Sequence, residues 1–274
     1  MNILVTGPNG FLGSSVVHRL RRTEFQVRTI SRRFNSGDYY FINDLGNSIE
    51  LISILNSFKP DIIVNTAAVA NFSNQTPTSD FYSINTLLPS ILADWAKKNH
   101  SYLIQISGIL IHGFNHSYFN CRTPEIPDTN YGMSKHLADK MIITSGCDFA
   151  ILRMGGIFGK NGPEHLGINR AIKNAAMGII PSYIATGATK RNYLFVEDAA
   201  LIVETCVNKR LKGIFYCGGE ILSIKDMLTM ITDVFIPGAV PVSLGEGNDT
   251  HDQIIENSLE FSYRKFLDCL NDCK

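Results

Sequence analysis

Two rhythms of apolar and polar positions alternate along the first 155 residues. Short, nearly unbroken apolar runs, such as Ile3-Leu4-Val5 and Ile62-Ile63-Val64, recur between longer stretches in which apolar residues return every three or four positions. The short runs predict strands over Asn2–Thr6, Phe25–Ile30, Tyr39–Ile42, Asp61–Asn65, Ser101–Ser107 and Phe149–Arg153. The longer stretches predict helices over Gly10–Arg22, Ser48–Phe58, Ser79–Asn99 and Thr129–Ser145, with Pro60 stopping the second. In the first helix Phe11, Leu12, Val16, Val17 and Leu20 share a face, and Arg19, Arg21 and Arg22 complement the dipole at its C-terminal end. Strands separated by such helices need right-handed crossovers and pair in parallel. Their continuous apolar character fits a sheet covered by helices on both faces. The expected fold is a doubly wound parallel α/β sheet.

Beyond residue 155 the rhythm loosens. Gly155-Gly156, Gly159, Gly162-Pro163, Gly178, Pro181 and Gly187 interrupt the chain. Short strands are expected over Asn192–Val196 and Gly213–Cys217, and helices over Glu197–Val207 and Ser223–Val234. There is no internal repeat and no low-complexity tract.

Composition narrows the class. Lys plus Arg and Asp plus Glu number 25 each, so no net field steers the chain toward nucleic acid or anionic membranes. No apolar run approaches the roughly 20 residues that span a bilayer, and no charged segment leads into a hydrophobic one as in a signal peptide. The six cysteines are scattered without a Cys-x-x-Cys pair, which reads as reduced thiols, not a disulfide framework or metal site. A cytoplasmic protein without metal, nucleic-acid or membrane partners is expected.

The first chemical signal follows the first strand. Thr6-Gly7-Pro8-Asn9-Gly10-Phe11-Leu12-Gly13 places glycine at every third position between a strand and a helix. Gly7 permits a sharp turn, Gly10 a close approach to a pyrophosphate, and Gly13 tight packing of helix on strand, while the helix N-terminus offers free N–H groups to the phosphates. The Lys-Ser/Thr pair of a P-loop nucleotidase is absent. A dinucleotide-binding Rossmann domain over 1–155, with returning segments about 190–217, is therefore expected, and 156–274 forms mainly a smaller substrate lobe, with substrate in the cleft between them. At the end of the second strand, Ser31-Arg32-Arg33 stands where an acidic residue would bind the ribose hydroxyls of NAD. A hydroxyl and two guanidiniums suit the 2′-phosphate of NADP, so NADP is preferred over NAD.

Tyr131 and Lys135 are four apart on one helical face. A nearby ammonium stabilises phenolate and is expected to pull the tyrosine pKa down from about 10 toward the working range. The phenol can then give or take a proton while hydride moves to or from a nicotinamide.

Together, Thr6-Gly-x-x-Gly-x-x-Gly13, Asp44-Leu45, Asn65-Thr66-Ala67-Ala68, Asn85, Tyr131-Gly-Met-Ser-Lys135, Leu152-Arg153 and Arg191-Asn-Tyr-Leu-Phe-Val-Glu-Asp198 resemble the extended short-chain dehydrogenase/reductase family, also called the NAD-dependent epimerase/dehydratase family. The resemblance implies that Gly7, Asn9, Gly10, Phe11, Leu12, Gly13, Ser31, Arg32, Arg33, Asp44, Leu45, Thr66, Ala67, Ala68, Asn85, Tyr131 and Lys135 surround the cofactor. It implies that Tyr131, Lys135 and Ser107 are catalytic and that Ser107, Gly108, Tyr131 and Arg191 face a nucleotide-sugar, with Arg191 on its diphosphate. A homodimer is common for the fold. The family's usual Ser or Thr near the end of the fifth strand aligns with Gly108, which has no side chain. Either Ser107 supplies the hydroxyl through a local shift, or another group or water does, or the protein binds cofactor without turnover. Gly156 likewise lacks the side chain usual at its position. The chain length is nearer to nucleotide-sugar reductases of the dTDP-4-dehydrorhamnose reductase type than to the epimerases, which favours reduction of a keto group on a nucleotide-activated deoxysugar over epimerisation.

Overall fold

The computed structural model describes residues 1–32, 39–70, 77–245 and 247–274. In chain order the elements are β1 (Asn2–Thr6), α1 (Phe11–Leu20), β2 (Gln26–Ser31), β3 (Tyr39–Phe41), α2 (Ser48–Phe58), β4 (Ile62–Asn65), α3 (Thr78–Tyr82), α4 (Leu88–Asn99), β5 (Tyr102–Gly108), β6 (Tyr118–Phe119) and α5 (Asn130–Ser145). They continue with β7 (Asp148–Met154), β8 (Gly156–Phe158), α6 (Gly167–Ala176), β9 (Ser182–Tyr183), β10 (Lys190–Phe195), α7 (Val196–Lys209), β11 (Gly213–Cys217), β12 (Glu220–Ser223), α8 (Ile224–Phe235), β13 (Val242–Ser243), β14 (Ile254–Ile255) and α9 (Phe266–Asn271). Among the described residues no helix is long and apolar enough to cross a membrane, and no group of His, Cys, Asp and Glu could hold a metal ion.

The chain gathers into two units, one of Met1–Gly113, Glu125–Arg153 and Ala200–Phe215, the other of Phe114–Pro124, Met154–Ala199 and Tyr216–Lys274. The first is built on a seven-stranded sheet ordered β11-β7-β5-β4-β1-β2-β3. The pairs β1–β2, β2–β3, β1–β4 and β4–β5 are all parallel. The apolar runs predict this: Ile3, Leu4, Val5, Ile62, Ile63, Val64, Leu103 and Ile104 are fully buried. Strand order runs outward from β1 to β3 and then restarts from β4 on the other side of β1. That switch leaves a crevice at the carboxyl ends of β1 and β4, where such sheets bind ligands.

The long helix expected over Ser79–Asn99 is interrupted. α3 passes into a π-turn over Ser83–Leu87 before α4 begins. Asn85 sits inside the wide turn, fully buried. Such single π-turns are frequent at functional sites.

In the second unit β12, β10 and β8 form a three-stranded sheet. Its core stacks Phe158 on Phe266 and Phe195, with ring centroids 4.8 and 5.4 Å apart.

Candidate functional site

The glycine loop has the geometry its spacing predicts. Gly7 has φ +69°, a region favouring glycine, and a Cβ there would lie 2.7 Å from the Ala67 backbone nitrogen. A Cβ on Gly13 would lie 2.1 Å from the Gly7 carbonyl oxygen, so only glycine lets α1 pack this closely on the loop. Gly10 has extended backbone and makes no side-chain cap, and no acidic residue occupies the first turn of α1. Phe11, Leu12 and Gly13 thus begin a helix whose N-terminal amides and dipole suit a phosphate.

Neighbouring residues brace the loop. Thr66 Oγ1 donates to the Thr6 carbonyl at 2.6 Å, and Ala67 is buried beside Gly7 while Ala68 is exposed. Asn9 Nδ2 donates to Ser31 Oγ at 2.7 Å, joining the loop to the end of β2. Arg32 is exposed next to Ser31, and Arg33 lies outside the described residues. Leu45 is buried, and Asp44 Oδ1 accepts from the Gly46 amide at 2.8 Å in a tight turn.

A polar ladder not evident from the sequence runs from the carboxyl ends of β1 and β4 to the middle of β5. Thr6 pairs in register with Asn65, and Asn65 with Gln105. Thr6 Oγ1 donates to Asn65 Oδ1 at 2.5 Å, Asn65 Nδ2 to Gln105 Oε1 at 2.7 Å, and Gln105 Nε2 to the Ile106 carbonyl at 2.8 Å. All three side chains are fully buried, so each depends on the next for its hydrogen bonds.

The Ile106 carbonyl also accepts from Lys135 Nζ at 2.7 Å. Lys135 is buried on α5, one turn after Tyr131. α5 starts where it does because Thr129 Oγ1 accepts from the Gly132 amide at 3.0 Å. Gly132 is needed for a second reason: a Cβ would stand 2.4 Å from the Leu110 carbonyl, so the first turn of α5 lies directly on the short helix Ile109–His112 that follows β5. Asn85 Nδ2 donates to the Val69 carbonyl at 2.9 Å and to Ser134 Oγ at 3.1 Å, and Val69 N donates back to Asn85 Oδ1 at 2.8 Å. Asn85 therefore ties the segment after β4 to the helix carrying Tyr131 and Lys135.

Electrostatics around the pair depart from expectation. Burial pulls the Lys135 ammonium down to about 8. The Tyr131 phenol moves the other way, pushed up to about 12 by burial and by the charge of Asp139. The lowering expected from Lys135 does not offset burial and the Asp139 carboxylate on the same helix.

Asp139 belongs to a buried charge cluster. Its Oδ2 accepts from Arg153 Nε at 3.0 Å, and Arg153 Nη2 donates to Glu125 Oε1 at 2.6 Å. Glu125 also meets Lys140 Nζ at 2.7 Å and is held down at about 2 by Lys140 and Arg153, against the opposing effect of burial. Burial pushes the Asp139 carboxyl up, opposed by Arg153, Ser107 and Lys135. The Ser107 hydroxyl faces Asp139 closely enough to act on it, yet neither Ser107 Oγ nor Asp139 Oδ1 makes a well-formed hydrogen bond. Gly108 closes β5 with extended backbone. The sequence offered a signal for Asp139 in its position eight residues after Tyr131, on the same helical face.

Arg191, in the second unit, is half-buried. It donates to the Lys190 carbonyl at 2.9 Å, the His251 carbonyl at 2.6 Å and Thr250 Oγ1 at 3.0 Å.

Residues 3–218 match the model of the NAD dependent epimerase/dehydratase family. The chain is 26% identical over 256 residues to GDP-6-deoxy-D-talose 4-dehydrogenase of Aggregatibacter actinomycetemcomitans, covering 85% of this chain and 80% of that one. It is 26% identical over 257 residues to dTDP-glucose 4,6-dehydratase of Escherichia coli, covering 79% and 71%. Its fold matches the Bordetella bronchiseptica enzyme WbmG, solved with NAD and UDP, at a TM-score of 0.81 and 22% identity, covering 98% of this chain and 92% of that one.

Proposed function

The chain belongs to the NAD dependent epimerase/dehydratase family, and we propose that within it the protein is a reductase that delivers hydride to a keto group of a nucleotide-activated deoxysugar. One observation carries the reading: Tyr131 and the buried Lys135 stand one turn apart on α5, with the ammonium anchored at the carboxyl end of β5. The cradle fits a dinucleotide, because the space a Cβ would fill at Gly7 and Gly13 is needed for the loop to close on α1. When bound, the nicotinamide supplies the hydride.

The chain's own residues do the rest. Phe11, Leu12 and Gly13 present amides to the pyrophosphate. Tyr131 holds its proton at neutral pH, as a proton donor must, and gives it to the carbonyl oxygen as that oxygen gains charge. Lys135 stabilises the phenolate left behind. Ser107 and Gly108 border the reacting oxygen, and the buried Ser107 hydroxyl is the group nearest in sequence to the usual donor. Arg191 suits a diphosphate by its planar fork. The absence of an acidic side chain at Ser31-Arg32 favours NADPH over NADH. The redox relative, a 4-dehydrogenase, supports a net oxidation–reduction, and Gly108-Ile109 offers no carboxylate for the dehydration its other relative is named for.

Single-turnover and steady-state assays on nucleotide-linked 4-keto sugars test this. One NADPH is expected to be consumed per substrate, and Tyr131→Phe is expected to lower kcat by about 100-fold or more, the share general acid catalysis commonly contributes. Turnover without NADPH consumption would mean epimerisation, and full activity of Tyr131→Phe would remove the mechanism.

A further inference from the structure

The inner face of α5 carries three functional side chains at a spacing of one turn each: Tyr131, Lys135 and Asp139. The mechanism above uses only the first two. Asp139 is fully buried, as is Lys135 apart from 2% of its surface. A buried carboxylate is costly unless it is paired and hydrogen-bonded. Here Oδ2 accepts from Arg153 Nε at 3.0 Å, and the Ser107 hydroxyl lies beside the carboxylate and helps to hold its charge.

Arg153 is already matched on its far side by Glu125 at 2.6 Å. Lys135 has a carbonyl for a hydrogen bond but no bonded anion: among its salt-bridge-capable neighbours none lies within ion-pair distance. The ionisable groups that share its helical face are Tyr131 and Asp139, and Arg153 from β7 pairs with Asp139 behind it. Of these, Asp139 is the one whose charge favours the ammonium.

Resting on the reductase reading for the role of Lys135, we propose that Asp139 is a positioning residue, clamped on Oδ2 by Arg153, whose carboxylate is the counter-charge that keeps the buried Lys135 ammonium charged and seated against the Ile106 carbonyl. The same carboxylate opposes ionisation of Tyr131, so it also holds the phenol in its proton-donating form. Ser107 completes the arrangement, since its hydroxyl lies against Asp139 and couples the end of β5 to the same charge.

The sign follows from the roles. Lys135 stabilises the Tyr131 phenolate only while it is an ammonium, so activity is present below the Lys135 pKa and lost as pH rises through it, near pH 8 in the parent protein. Asp139→Asn keeps the shape and removes the charge. Its Lys135 titration is expected to move down by one pH unit or more, and the alkaline limb of kcat/KM with it, giving about a tenfold loss at pH 8 and little at pH 6. Asp139→Glu is expected to restore part of the shift.

The decisive readout is independent of turnover. The Cε resonance of Lys135 in 13C-lysine-labelled protein, assigned with Lys135→Met, reports the ammonium directly. A lower midpoint in Asp139→Asn supports the proposal even if Tyr131→Phe proves fully active, in which case only the reductase reading fails. An unchanged midpoint overturns the proposal, whatever happens to the rate. Should Asp139→Asn not fold, Asp139→Asn/Arg153→Gln leaves no unpaired charge on β7 and carries the same expectation. Failure of both variants to fold would make Asp139 and Arg153 a structural brace and would also overturn it.

Discussion

At the scale of single residues, the site is legible where chemistry demands one residue type. Gly7 and Gly13 are read from their spacing between a predicted strand and a predicted helix, and the distances a Cβ would meet there explain why no other residue serves. Tyr131 and Lys135 are read from the string Tyr-Gly-Met-Ser-Lys and its place soon after the fifth strand, since the spacing by itself is common. Their electrostatics were not, because the field at a buried group is set by partners far apart in the chain: Asp139 lies eight residues on, and Arg153 and Glu125 follow only once β7 and the segment before α5 are in place. The cofactor preference is also argued at this scale. Asn9 Nδ2 bonds Ser31 Oγ at the end of β2, with Arg32 exposed beside it. If Arg32 meets a 2′-phosphate, Arg32→Ala should cut the ratio of kcat/KM for NADPH over NADH by about tenfold, the worth of one charge-assisted hydrogen bond. An unchanged ratio would leave the basic turn a solvated surface.

At the scale of elements, hydrophobic rhythm located the strands and helices of the sheet because burial on both faces leaves little choice of residue. It missed the π-turn over Ser83–Leu87, since one extra residue in a helical turn barely disturbs a pattern of period 3.6. It missed the ladder Thr6–Asn65–Gln105 for a related reason. Polar residues at the ends of strands look like the start of loops, and only register shows that they face one another. The ladder gives a stability prediction. Gln105→Leu is close in size but strands the buried Asn65 amide and removes a side-chain donor to the Ile106 carbonyl. Urea unfolding should show a loss of about 1–3 kcal/mol, the cost of an unsatisfied buried polar group. A change within about 0.5 kcal/mol would mean that the neighbouring groups re-pair without cost.

At the scale of the whole molecule, the charge cluster on α5 and β7 governs response to acid. The Glu125 carboxyl is lowered from 4.5 to about 2 in the folded chain. Its contribution is therefore full above about pH 4.5 and lost as pH falls from there toward 2. Glu125→Gln should be less stable than the parent at pH 6 by up to about 3 kcal/mol, and the gap should close by pH 2–3 in chemical denaturation followed at each pH. A gap independent of pH would assign the effect to packing. The Asp139 carboxyl, raised by burial, works in the opposite sense and sharpens the need for the Gln comparison.

The ladder has one further consequence. Its first rung is the residue before the glycine loop and its last is the carbonyl that seats Lys135, so that loop and the Lys135 anchor are referenced to the same three strands. Neighbouring strands lie about 4.8 Å apart, and β1 and β5 are two steps apart, which fixes roughly 10 Å between the two anchor points across the sheet. The sheet then works as a ruler. Movement of either loop cannot change that gauge without breaking buried hydrogen bonds, so under the proposed function any adjustment to different substrates would come from outside these three strands.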